Sequence, residues 1–435
     1  MTIIIFFKIW NYLHLLRSLT KKKMKLNLGL GALVLSVSAF AQLSVEAELR
    51  PRFEYRHGFK TLFDKSDDEA AFVSQRTRLN TNYKNENMEF RLSLQDVRVW
   101  GDVPQLNATD KNKLAVHEAW GKFNVTEEIA LKLGRQEIVY DDSRFFGNVD
   151  WAQQARSHDA ALVQFKKNNF RADVGFAYNQ DGEKLTGNIY TVDRNYKSMQ
   201  YAWLHHDWVD FSGSLLFVNN GWQLVNANSG KSETQYTQTI GTHLNYKANA
   251  LNLIGNAYYQ MGKDIDANVV SAYLLGLEAN YNVTTKFNLG IGAELQSGND
   301  NKVIANDKNK AFNPLFGTNH KFNGLMDYFY VGNHLNSVGL LDLHAKANIK
   351  TSEKTNVGLA LHNFSSAADL DKKRFGNELD ITFGYKIYYN VTLNAGYSHM
   401  FASDGMELIK NGKANETNNW AWLMFTFKPT LFSTK

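Results

Sequence analysis

The chain has 435 residues, 13% of them aromatic, with only 4 prolines and no cysteine, and its mean hydropathy of -0.39 excludes a bundle of apolar membrane helices. The missing cysteines exclude a disulfide scaffold and thiolate metal sites and suit a cell-envelope protein that avoids oxidative mispairing. The formal charge is +5, but residues 1–41 hold six Lys/Arg (Lys8, Arg17, Lys21, Lys22, Lys23 and Lys25) and no acid, so removing those six from 48 leaves 42 bases against 43 acids.

The segment from Met24 has a basic start, an apolar stretch Leu26 to Val37 and the small-x-small site Ala39-Phe40-Ala41, the pattern of a secretory signal peptide. Residues 1–41 are therefore read as a signal region, with Met24 the true start and cleavage after Ala41. The alternative is that Met1 begins an unusually long basic leader; Lys8, Asn11, His14 and Arg17 interrupt that stretch as a membrane helix. The functional chain is then a single unit, 42–435.

From Leu43 the residues alternate with period two. Leu43, Val45, Ala47, Leu49, Phe53 and Tyr55 share one face; Ser44, Glu46, Glu48, Arg50, Arg52, Glu54 and Arg56 share the other. Globular strands peak near about 5 to 6 residues, whereas a tilted membrane-crossing strand needs about 9 to 11, so the length favours a barrel. The pattern recurs at Phe170 to Tyr178, where Phe170, Ala172, Val174, Phe176 and Tyr178 would take the lipid. Strands are predicted near 43–59, 71–84, 88–100, 115–125, 128–136, 156–167, 169–180, 196–207, 209–219, 235–247, 249–261, 270–282, 285–297, 337–350, 354–364, 374–389, 391–402 and 418–429. Eighteen is an even number, as single-chain bacterial barrels have.

Between these strands, tight turns such as Lys84-Asn85-Glu86-Asn87, Asn168-Asn169 and Tyr389-Asn390 alternate with long polar connections such as 60–70, 101–114, 137–155, 181–195, 220–234, 298–336 and 403–417. Asn tolerates the left-handed backbone of such turns. Short periplasmic turns opposite long extracellular loops are the asymmetry of outer-membrane barrels. The fold class is thus all-β: an antiparallel transmembrane β-barrel in the bacterial outer membrane, its surface facing lipid. Trp420 to Lys428 would form an aromatic closing strand, suited to reading by the barrel assembly machinery.

Arginine concentrates on the faces assigned inward: Arg50 and Arg52 on the first strand, Arg76 and Arg78 on the second, Arg91 and Arg98 on the third. Together they would make one basic wall, able to bind carboxylates in bidentate fashion. The competing reading is a wet lumen filled with mutually satisfied salt bridges. A second constellation runs from Gly134-Arg135-Gln136 through Tyr140-Asp141-Asp142-Ser143-Arg144 and Trp151 to Arg156-Ser157-His158-Asp159-Ala160. With Phe312-Asn313-Pro314-Leu315-Phe316 and Met326-Asp327-Tyr328-Phe329, it resembles the alginate export family of outer-membrane porins over roughly the whole chain after the signal region. The resemblance implies a monomeric eighteen-stranded barrel through which an anionic sugar polymer passes. It also implies that Arg135, Asp141, Asp142, Arg144, Arg156 and Asp159 belong to the constriction or to the loop folded towards it.

Catalysis is not expected, because Ser157, His158 and Asp159 are strand neighbours facing opposite sides and cannot form a triad. The scattered His205, His206, His320, His334 and His344 predict no metal site, no cofactor motif is present and nothing points to nucleic acid. The expected function is an outer-membrane channel for an anionic oligo- or polysaccharide, alginate or a related polyuronate, in either direction. The alternative is a plugged structural or adhesin-type barrel. Whether the 298–336 connection folds inward is left open.

Overall fold

The computed structural model describes residues 41–434, except 107, 108, 113, 226–228 and 331; the predicted signal peptide therefore lies outside the described residues, apart from Ala41. Among the described residues no helix is long and apolar enough to cross a membrane. Eighteen long antiparallel strands close on themselves. In chain order they are β1 (Gln42–His57), β2 (Ala70–Lys84), β3 (Met88–Val99), β4 (Ala115–Asn124), β5 (Ile129–Gln136), β6 (His158–Lys167), β7 (Phe170–Tyr178), β8 (Ser198–Asp207) and β9 (Phe211–Val225). The second half comprises β10 (Ser232–Ala248), β11 (Leu251–Lys263), β12 (Val269–Thr284), β13 (Phe287–Gln296), β14 (Leu340–Lys350), β15 (Thr355–Ser365), β16 (Arg374–Tyr388), β17 (Val391–Ala402) and β18 (Asn419–Phe427).

Each strand pairs with the next, and β1 pairs with β18 from Leu49↔Phe427 to His57↔Asn419. Beyond Phe427 the tail Thr430–Ser433 continues along β1, with Ser44 opposite Ser433. Among the described residues no sheet edge is left for lipid, where an unpaired backbone group would cost several kcal/mol. The outer surface is the apolar half of each alternation: Leu49, Phe53, Leu79, Phe90, Val174, Phe176, Leu215 and Phe217 are all exposed. The aromatic strand at the end of the sequence is the closing strand, as expected.

The eight short connections and the longer ones alternate around the barrel, so the two rims differ. Asn168 and Asn249 occupy tight turns at φ 51° and 53°, a conformation Asn accepts more readily than most residues. One expectation fails. Residues 220–234 are not a long loop, because β9 runs on to Val225 and β10 starts at Ser232. Asn220 to Val225 pair with Ser232 to Thr237 in register, and at the end of the predicted strand Asn219 donates to Gln200 at 2.7 Å and accepts from Gln238 at 2.9 Å.

Candidate functional site

The lumen is crossed by two of the long connections. The first, residues 137–157, leaves β5 and lies against both sides of the barrel. On one side Asp150 meets Arg76 at 2.8 Å and Arg50 at 3.2 Å, while Gln153 accepts from Arg50 Nε at 3.1 Å and donates to the Ser74 hydroxyl at 3.0 Å. Arg52 donates to the Trp151 carbonyl at 2.6 Å and sits 3.9 Å over the Trp151 ring. On the other side Tyr140 donates to Asp173 at 2.7 Å, Asp141 accepts from Ser214 at 2.8 Å and from Trp203, and Asp142 accepts from Asn256 at 2.7 Å. Burial raises the Asp141 carboxyl above its ordinary range. At Asp150 burial acts the same way, but Arg76 and Arg50 outweigh it and hold the carboxyl below its ordinary range.

The second connection, residues 297–339, folds inward beside the first. Gly147 N–H donates to the Phe316 carbonyl at 2.9 Å and Thr318 N–H to the Ser143 carbonyl at 2.9 Å. Arg144, 1% exposed, ties both loops to the wall: it pairs with Glu294 of β13 at 2.5 Å and donates to Asn319 at 2.7 Å and Asn323 at 3.1 Å. Further round, the N–H groups of Leu325 and Met326 donate to Asp380 and Glu378 of β16. Two apolar clusters complete the docking, one around Tyr140, Phe145, Phe146 and Phe316, the other around Met326, Tyr328, Phe329, Phe364, Phe375 and Trp420. At about 1.5–3 kcal/mol per buried large apolar side chain, these aromatics are a major part of what keeps the loops inside.

Cavities remain on both sides of this layer. Towards the long loops lie a space of about 710 Å³ bordered by Tyr196, Trp222, Gln260 and Phe316, and one of about 390 Å³ bordered by Arg52, Arg56, Lys60 and Trp151. Towards the short turns lie one of about 390 Å³ beside Lys122, Arg171, Asp173 and Trp203, and one of about 150 Å³ beside Lys346, His362 and Asp380.

The arginines of the first two strands come together as expected: Arg50, Arg52, Arg76 and Arg78 are 1–7% exposed and share one side of the lumen. Their partners are the loop and their own strands. Arg76 also pairs with Glu48, Arg52 with Glu54 at 2.9 Å, and Arg78 donates to Gln95 at 2.8 Å. Arg91 likewise faces in, paired with Glu118 and donating to Asn82 at 2.7 Å.

Three residues depart from expectation. Arg98 lies seven positions after Arg91, so period two puts it on the opposite face, opposite Gln75 in register, where it pairs with Asp96 at 2.6 Å and Asp110 at 2.8 Å. Arg135 and Asp159 are direct cross-strand partners 2.8 Å apart, 41% and 63% exposed, on the same outward faces as Leu133 and Val163. They form a pair on the barrel's outside and not part of the constriction. His158 points inward to the Tyr196 hydroxyl at 2.9 Å, so it does not meet Asp159. Asp141, Asp142, Arg144 and Arg156 do lie in the inserted loop; Arg156 donates to the Gly317 carbonyl at 3.3 Å, and among the described residues no carboxylate pairs with it. Sequence reasoning missed Asp150, Gln153, Glu294, Asn319 and Asn323, whose partners are far away in the chain.

Residues 41–421 match the family model for alginate export. The chain belongs to the alginate export family. No curated protein matches it. Among solved structures, this family member's barrel is similar to Acinetobacter baumannii OccAB4 (TM-score 0.63, 10% identity, covering 91% of this chain and 99% of that one). It is also similar to Pseudomonas aeruginosa OpdO (TM-score 0.61, 11% identity, 90% and 98%) and to A. baumannii OccAB1 (TM-score 0.60, 11%, 90% and 97%). At such identities the likeness is one of fold. Family membership and a closed barrel with a lipid-ready surface together support an outer-membrane channel.

Proposed function

We propose that this alginate export family member is a channel that passes an anionic, carbohydrate-like solute, alginate or a related polyuronate, along the arginine-bearing side of its lumen. The observation that carries the reading is a local charge imbalance. Arg50, Arg52, Arg56, Arg76 and Arg78 stand on adjoining strands, while the carboxylates that pair with them are Glu48, Glu54 and Asp150. Five cations against three paired anions give the paired cluster a net positive charge, with Asp327 and Glu137 the next acids acting on it. Polyuronates present carboxylates at regular spacing, and guanidinium groups recognise them without losing charge at any working pH. Release needs weak interaction, which buried arginines acting through their field and the part-exposed Arg56 acting by contact supply.

The loops across the lumen favour a second reading, a plugged structural or adhesive barrel. One experiment separates the two: single-channel conductance of the refolded chain in planar bilayers, with oligouronates or neutral oligosaccharides added to either side. The channel reading expects conducting openings blocked by uronates, the block weakening at least several-fold in Arg76→Gln/Arg78→Gln. A silent barrel would sink it; equal block by neutral sugars would remove the anionic preference. No catalytic role is proposed.

A further inference from the structure

On β14, Asp342 and His344 are two residues apart and so share the inward face; His362 of β15 stands directly opposite His344 in register. One ligand atom from each lies within 4.8 Å of the other two. His362 Nδ1 is 2.9 Å from Asp342 Oδ1, and the two imidazole centroids are 5.3 Å apart. His344 Nδ1 is buried without a hydrogen-bond partner and lies 3.8 Å from Asp342 Oδ2.

The surroundings orient these groups. Glu278 of β12 lies 3.1 Å from His344 Nε2, fixing that ring by its other nitrogen. Asp380 lies 4.0 Å from His362 Nε2. Asn323 of the inserted loop donates to Asp342 Oδ2 at 3.1 Å. Gly292 lies between Glu278 and His344 in register, and a Cβ there would run into the His344 ring. A carboxylate behind each imidazole is the outer shell that metal-ligating histidines use to set tautomer and raise basicity. A simple histidine–carboxylate salt bridge needs no second imidazole aimed at the same carboxylate, and it leaves the buried His344 Nδ1 unsatisfied.

We propose that Asp342, His344 and His362 form a binding site for a divalent transition-metal ion, of which Zn²⁺ is the model, on the lumen wall at the seat of the 297–339 loop. Two imidazole nitrogens and one carboxylate oxygen suit Zn²⁺ and its neighbours and leave a fourth position for water. They are too few oxygens for Ca²⁺ or Mg²⁺. His362 also borders the 150 Å³ cavity on the short-turn side, a route for the ion to enter. Because Asn323 holds the same carboxylate, a bound ion would brace the loop at that point.

The test uses the tag-free chain refolded in detergent, its folding verified by heat-dependent gel mobility, stripped with chelator and titrated with Zn²⁺ by calorimetry. One equivalent should bind at micromolar or tighter affinity. His344→Gln and His362→Gln should each weaken it at least tenfold and Glu278→Gln by about 10- to 100-fold, with His206→Gln unchanged. Absence of uptake by the folded chain, or uptake indifferent to both ligand variants, would overturn the site. If the variants fail to fold, Cu²⁺ paramagnetic resonance of the unaltered chain decides: hyperfine splitting from two imidazole nitrogens supports the site, and its absence rejects it.

Discussion

Asp150 is the loop carboxylate that three wall arginines share: it accepts from Arg76 at 2.8 Å and Arg50 at 3.2 Å and lies 3.8 Å from Arg78. Arg76 is 1% exposed, so removing its partner leaves a buried guanidinium with one acid, Glu48, in place of two. Asp150→Ala should therefore destabilise loop docking by about 1.5–3 kcal/mol, the scale of a hydrogen bond to a charged group. Asp150→Asn, which keeps the shape and an acceptor oxygen, should cost less. The check is protease cleavage between residues 141 and 155 of the folded barrel; equal protection in all three proteins would show that Trp151, Gln153 and the aromatic cluster hold the loop by themselves.

The strands were legible because each needs only local information: alternation names the two faces, and asparagine names the tight turns. Counting alone places Arg98 outside, since an odd separation from the inward Arg91 reverses the face; Arg135 and Asp159 are expected at the constriction only by resemblance, and the alternation with Leu133 and Val163 overrides it. The inward course of residues 137–157 and 297–339 could not be read in this way. It depends on pairs such as Arg50 with Asp150 and Arg144 with Asn323, separated by 100 and 179 positions, which no period connects. The second loop should also respond to pH. Burial, with repulsion from Lys410, pushes the His334 imidazole down to about 3 from its ordinary 6.5, and burial pushes Lys410 down to about 7 from 10.5. Lys410 belongs to the 403–417 connection and donates to the Asn333 carbonyl of the loop. Both are bases with lowered values when the loop is docked, so the undocked state binds the proton first and docking weakens as pH falls. Lys410 acts from about 10.5 to 7, and His334 from about 6.5 to 3, each by up to about 1.4 kcal/mol per pH unit. A spin label at Leu335→Cys should gain mobility on acidification, and adding His334→Gln should flatten the response below pH 6.5. An unchanged profile would mean that the imidazole is not what the loop buries.

At the scale of the whole molecule, the two inserted loops form one bonded layer. Each contributes to the other's seat through the Gly147–Phe316 and Ser143–Thr318 backbone bonds and through Arg144, which reaches across both to Glu294. Shortening either should therefore loosen both. Replacing residues 141–154 by a short Gly/Ser linker leaves the eighteen strands and their lipid face intact, because none of those residues belongs to a strand. It removes the part of the layer that separates the cavity bordered by Arg52 and Arg56 from the one beside Lys122. Conductance should rise several-fold. Its charge preference should move further towards anions, since the deletion takes Asp150 away and leaves Glu48 and Glu54 as the carboxylates paired with Arg50, Arg52, Arg56, Arg76 and Arg78 among the described residues. Reversal potentials across a salt gradient measure this directly. A larger but cation-preferring or unselective pore would mean that the arginines serve only to hold the loop, and the anionic solute would have to be abandoned even though the channel itself stood.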